Sequence, residues 1–256
     1  QPAPTPSPVP VPSKTEATKE QVIDLNFKID RSGNVIRHNQ AFGSYSGGYL
    51  RNASSLKEQQ DSFNQKHLYY FHDNGRYYGT QEAVEIVQLM GKKIYQAERN
   101  KIYVSRIAAQ RGGLIRPSKS HQNGLDIDIG YPTKSGKTKF PVVVASGGSK
   151  IISSDYSPAK TLELFKFLVT QKQYPVSRLF VDRHIIKNLC SYARETKQTE
   201  NNQKAVIAKV FSILQHVDGH GNHFHLRLKC DSKRHKCLDV YYSKRSICTT
   251  SSMVVK

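Results

Sequence analysis

Four of the chain's ten histidines fall within ten residues: His216, His220, His223 and His225. The last three stand in GHGNHFHLRLKC, residues 219–230. Side chains alternate across a strand, so if HFHLRL is one, His223, His225 and Arg227 face one way and Phe224, Leu226 and Leu228 the other. The apolar face can pack on a core, which aims the two imidazoles rigidly at one place. LDIDIGY, residues 125–131, has the same design. Leu125, Ile127 and Ile129 share one face, Asp126 and Asp128 the other, and His121 precedes them. Where the two strands are antiparallel neighbours, His121, Asp128 and His225 converge. Two histidines and a carboxylate form a three-ligand set for a catalytic zinc that keeps its fourth position for water and lowers that water's pKa to about 7. A nearby histidine that is not a ligand can take and return the proton.

The same residues fit plainer readings. A His-x-His pair can be a surface feature or an adventitious metal binder. Asp126 and Asp128 can form the solvated face of an edge strand, and HGNHFH can be a pH-sensitive interface. The ligands come from distant segments, so spacing alone discriminates less than it does in H-E-x-x-H.

The surrounding pattern predicts the elements that position these groups. EAVEIVQLMGKKIYQ, residues 82–96, sets Val84, Val87, Met90 or Gly91, and Ile94 at helical spacing. SPAKTLELFKFLV opens with Ser157 as N-cap and Pro158 in the first turn, and Leu162, Phe165 and Leu168 line one face. SRLFV (177–181) reads as a strand, followed by a helix ending near Cys190. Residues 201–216 read as an amphipathic helix stopped at Asp218-Gly219. Further strands are expected at 101–107, 125–131, 141–146 and 223–228, while the Gly- and Ser-rich 41–60 reads as loop. Strands and helices mix without regular βαβ alternation, which predicts an α+β fold, an antiparallel sheet core with flanking helices. Residues 1–20, rich in Pro, Ser and Thr, read as a disordered linker, with a single domain over 21–256.

Lys and Arg outnumber Asp and Glu 39 to 20, a formal net charge of +19. That favours an anionic partner, whether nucleic acid, membrane surface or wall polymer, without choosing among them. No apolar run reaches the roughly 18 residues of a membrane span. The start QPAPTPSPVPVP, with no initiator Met, fits a mature exported protein whose signal has been removed, and equally a sequence cut at that point. Cys190, Cys230, Cys237 and Cys248 form no C-x-x-C pair. Of three pairings open to them, Cys230–Cys237 with Cys190–Cys248 is the one expected, in an oxidising compartment.

Lys119-Ser120-His121-Gln122-Asn123-Gly124-Leu125-Asp126-Ile127-Asp128, with the downstream His223-x-His225, resembles the H-x-x-G-x-x-x-D and H-x-H pattern of the LAS metallopeptidases. This group holds lysostaphin-type enzymes, D-Ala-D-Ala metallopeptidases and penicillin-insensitive murein endopeptidases, and the last fit best. FGSYSGGYL (42–50), RYYGTQEAVEIVQ (76–88), Gly112-Gly113 and RLFVDRHIIKNLC (178–190) look like segments of those enzymes in the same order, so the likeness covers roughly residues 40 to 250. It implies a LAS-like fold with His121, Asp128 and His225 as zinc ligands. It also implies that His223 and His220 form the basic pair that orients or activates water. The substrate would be peptidoglycan, cut by metal-activated water at the D-alanyl to meso-diaminopimelyl cross-link, in the periplasm or outside the cell. With no acyl-serine to trap, β-lactams would not inhibit it.

Some relatives have a histidine where this chain has Ser118, and extra metal contacts where it has SGGSK (146–150), so one zinc is expected rather than two. Tyr49 stands where relatives can have a Cys, in keeping with two disulfides. The first rival is a D,D- or L,D-carboxypeptidase of the same family. Arg116 or Arg227 could hold a substrate carboxylate, though a solvated role is commoner among so many basic residues. A noncatalytic basic wall-binding protein and a secreted nuclease are rivals of other classes. No RNA- or DNA-binding module is recognisable, and nucleic acid is not an expected partner.

Overall fold

The computed structural model describes residues 27–29, 35–37, 40–136, 143–146, 149–197 and 203–240. The chain divides into two compact units, Gln1–Arg37 and His38–Lys256. In the first, β1 (Phe27–Ile29) and β2 (Val35–Arg37) pair antiparallel. The linker expected at 1–20 lies outside the described residues.

The second unit begins with β3 (Gln40–Ser44), β4 (Gly47–Arg51), β5 (Ser54–Ser55) and α1 (Leu56–Ser62). β6 (Tyr69–Phe71), β7 (Tyr78–Gly79), α2 (Gln81–Glu98), β8 (Ile102–Arg106) and β9 (Asp126–Gly130) follow. Next come β10 (Val143–Ser146), β11 (Ser149–Ile152), α3 (Pro158–Thr170), β12 (Val176–Val181) and α4 (Arg183–Glu195). The last described elements are α5 (Lys204–Ile213), β13 (Leu214–His216), β14 (His223–Leu228) and β15 (Lys236–Cys237).

The main sheet has six strands in the order β13-β12-β14-β9-β8-β6. Its four central strands are antiparallel, as expected of an α+β chain, and the outermost pair on each side is parallel. β9 and β14 are buried on both faces. Ile127 and Ile129 of β9 and Phe224, Leu226 and Leu228 of β14 enter the core, where Phe224 meets Phe165 of α3 edge-on at 5.0 Å.

The helices start where the residue chemistry says they should. Thr80 caps α2 by accepting from the Ala83 N–H, Ser157 caps α3 ahead of Pro158, and Asp182 caps α4. In α2, Val84, Val87, Met90 and Ile94 are buried as spaced, and Gly91 allows close approach: a Cβ there would lie 2.9 Å from the Leu68 carbonyl oxygen.

Two expectations are corrected. Residues 41–60 are not loop: β3 and β4 form a hairpin, with Ala41 and Leu50 buried, and α1 follows, capped by Ser55. Glycine and serine there serve tight geometry instead; Gly43 sits at φ +67 with the Gly47 carbonyl 2.5 Å from where its Cβ would be. The helix expected over 201–216 ends at Ile213, because Leu214–His216 instead extends the sheet beside β12. Pairing with an open strand edge outweighs helical spacing there. The strand expected at 141–146 is β10, paired with β11 outside the main sheet; residues 141 and 142 lie outside the described residues.

Cys230 and Cys237 are bonded, tying the end of β14 to β15. Cys190 is also disulfide-bonded; its expected partner, Cys248, lies outside the described residues. No helix among the described residues is long and apolar enough to cross a membrane.

Candidate metal centre

The polar face of the sheet carries one transverse row of side chains. Register places Arg106 of β8 opposite Asp128 of β9, Asp128 opposite His225 of β14, and His225 opposite Phe180 of β12. One step along, Asp126 faces Arg227. His121 enters from the loop before β9 with φ +68, a left-handed backbone uncommon outside glycine. Gly124, at φ +75, completes the turn from that loop into the strand.

His121, Asp128 and His225 are buried, and one potential ligand atom from each lies within 4.8 Å of the others. His121 Nε2 and His225 Nδ1 are each 3.2 Å from Asp128 Oδ1, and His223 Nε2 is 3.6 Å away. Yet among the described residues that oxygen takes part in no hydrogen bond. A buried carboxylate oxygen ringed by imidazole nitrogens and bonded to none of them fits a shared cation. A tetrahedral ion with bonds of about 2.0–2.1 Å separates its ligand atoms by about 3.3 Å, close to the two nitrogen–oxygen spacings of 3.2 Å. The donor set, two nitrogens and one carboxylate, suits zinc.

Each candidate ligand is oriented from behind. The His121 Nδ1 lies 2.8 Å from the Ile107 carbonyl oxygen, so Nδ1–H donates there and Nε2 is left to face Asp128. His225 Nε2 lies 3.0 Å from Asp126 Oδ1, near enough for charge attraction but turned off the line of a hydrogen bond. The second oxygen of Asp128 is held by Arg106 Nε at 3.1 Å, and the same guanidinium donates to Ser118 Oγ at 2.7 Å. Burial alone would raise the Asp128 carboxyl, but His121 and His225 outweigh it and hold it well below the usual carboxylate range. Burial would likewise lower His225, but Asp126 and Asp128 push it up to about 9, a measure of how strongly this pocket demands positive charge.

The other two histidines behave differently. Burial pulls His223 down to about 4, and burial with the neighbouring His225 lowers His220. Both are therefore neutral at pH 7. His223 Nδ1 meets the Asn222 side-chain oxygen, and His220 Nδ1 lies 3.1 Å from the carbonyl oxygens of Val217 and Asp218. Those contacts assign the hydrogens to Nδ1 and leave each Nε2 with a free lone pair. Their rings are 4.9 Å apart, and both line a cleft of about 630 Å³ with His121, Asp128 and His225. Tyr131 and Gly221 brace their loop: Tyr131 Oη donates to the His220 carbonyl, and the Gly221 carbonyl accepts from Val143 N.

His121, Asp128, His225, His223 and His220 thus share one cleft. His216 stands apart on β13, near Val181 and Asp218. Arg227 is buried, its fork on Asp126 at 2.7 and 2.9 Å, which removes it as a holder of substrate carboxylate; Arg116 is exposed. Arg106 was not legible, being one basic residue among 39. The role of Asp126 had a signal: strand alternation sets it on the Asp128 face, and Arg227 on the facing strand offers the opposite charge.

Residues 41–251 match the family described as penicillin-insensitive murein endopeptidase. A relative of that name from Klebsiella pneumoniae is 26% identical over 209 residues, covering 78% of this chain and 70% of its own. One from Escherichia coli O157:H7 is 25% identical over 209 residues, with the same coverage.

Proposed function

From the premise that the chain belongs to the penicillin-insensitive murein endopeptidase family, we propose that it is a zinc-dependent endopeptidase of the cell wall that hydrolyses the D-alanyl to meso-diaminopimelyl cross-link of peptidoglycan. The observation that supports this reading most is the convergence of His121 Nε2, Asp128 Oδ1 and His225 Nδ1 beside two neutral histidines in one open cleft.

His121, Asp128 and His225 would hold one zinc ion. Zinc, when bound, supplies a Lewis acid that lowers the pKa of water to about 7 and polarises the scissile carbonyl. His223 accepts the proton of the attacking water at Nε2 and returns it to the leaving amine. His220 orients that water through its own Nε2. Arg106 keeps one oxygen of Asp128 occupied, so the carboxylate presents the other. Ser118, bonded to Arg106, lines the same cleft. The Cys230–Cys237 bond suits an extracytoplasmic site of action, in the periplasm or beyond it. All of these groups lie in the unit His38–Lys256.

Muropeptide mass spectrometry on cross-linked sacculi tests the proposal, with wild type, His225→Ala and a chelator control. Loss of dimers with matching gain of monomers, abolished by both controls, is the expected result. Unchanged dimers with shortened stems would replace it with a carboxypeptidase, and no change at all would favour a wall-binding role.

A further inference from the structure

We infer that Asp126 is the positioning residue of the metal centre, the single buried carboxylate that sets both histidine ligands; this rests on the metal-binding reading of His121, Asp128 and His225. Asp126 is fully buried and is not itself among the converging ligands. Its Oδ2 accepts from the backbone N–H of His121 at 3.2 Å. That bond holds His121 in its left-handed conformation, which an unsupported histidine would leave. Its Oδ1 lies 3.0 Å from His225 Nε2, a charge contact that favours hydrogen on that nitrogen and leaves the Nδ1 lone pair toward Asp128.

Asp126 is in turn immobilised. Arg227 forks both of its oxygens, at 2.7 and 2.9 Å, a planar pairing that prevents the carboxylate from rotating. The guanidinium lies against two aromatic rings, 4.0 Å from the centroid of Tyr45 and 4.9 Å from that of Phe180. Tyr45 Oη reaches the Leu228 carbonyl at 2.9 Å and Asp239 at 2.6 Å. Rigidity thus passes from Tyr45 through Arg227 and Asp126 to two ligands on different segments. Every group facing Asp126 in this arrangement is a donor. Asparagine would set an NH₂ against one of them, whereas aspartate presents only acceptor oxygens.

The competing role is simple charge balance for Arg227, and the test separates the two. Asp126→Asn strands a buried guanidinium, so Asp126→Asn/Arg227→Gln is measured beside it to remove that penalty. Zinc affinity is read by competition with a chromophoric chelator, and geometry by the visible spectrum of the Co²⁺-loaded protein. Both variants should bind zinc about 10- to 100-fold more weakly, with shifted Co²⁺ bands. A folded double variant with wild-type affinity and spectrum would overturn the inference. In Zn²⁺-loaded wild type, imidazole ¹⁵N NMR should find His225 protonated at Nε2. Protonation at Nδ1 would also overturn it, whether or not the variants fold. If wild type binds neither ion, the metal reading itself has failed.

Discussion

His223 and His225 sit two positions apart on one strand, yet their surroundings give them opposite duties. His225 lies between two carboxylates and favours positive charge, while His223 is desolvated and stays neutral. His225→Ala or His121→Ala should therefore abolish stoichiometric zinc binding. His223→Ala should keep the metal and lose about 10²- to 10⁴-fold in kcat, the range of a lost general base. Metal analysis beside steady-state kinetics checks the split, and a His223→Ala protein that loses its zinc would make that residue a ligand instead. The strand-borne part of this site was legible because alternation on two strands puts Asp126, Asp128, His223, His225 and Arg227 on one face. Arg106 was not, since nothing local marks an arginine whose partner lies 22 residues away on a neighbouring strand. The φ of His121 was equally invisible, being imposed by Asp126 rather than by its own residue type.

At the level of elements, the end of β14 is pinned from two directions. Cys230–Cys237 closes a short loop, and Glu82 at the start of α2 meets His235 and Arg234 within it. Replacing both cysteines by serine should lower stability by about 2–3 kcal/mol on loop entropy while leaving zinc affinity unchanged, as read by melting and chelator competition. Burial would raise the Glu82 carboxyl, but His235 and Arg234 outweigh it and lower it from 4.5 to about 2. A depressed carboxyl stabilises the fold above its unfolded value and loses that contribution as pH falls through the folded one. Glu82→Gln should thus be less stable than wild type at pH 6, and the gap should close between pH 4.5 and about 2. A pH-independent gap in melting temperature would contradict this. α2, α3 and the two central strands were readable because apolar spacing and caps agreed there. The hairpin at 40–51 and β13 were not, because cross-strand pairing decides them and the hairpin's glycines look like loop.

For the whole molecule, the charge of +19 matters more for encounter than for chemistry. An anionic wall polymer should be drawn in by long-range attraction that salt screens, with a Debye length of about 10 Å at 0.1 M. Raising ionic strength should therefore increase KM on sacculi and leave kcat nearly constant; a salt-independent KM would assign the charge another role. The catalytic account rests on one ion in one cleft. It is tested most directly by titrating Zn²⁺ into metal-free protein while following cleavage of a purified cross-linked muropeptide dimer. Activity should rise from zero in a straight line and level off at one equivalent. Full cleavage before any zinc is added, or a plateau only at two equivalents, would contradict it.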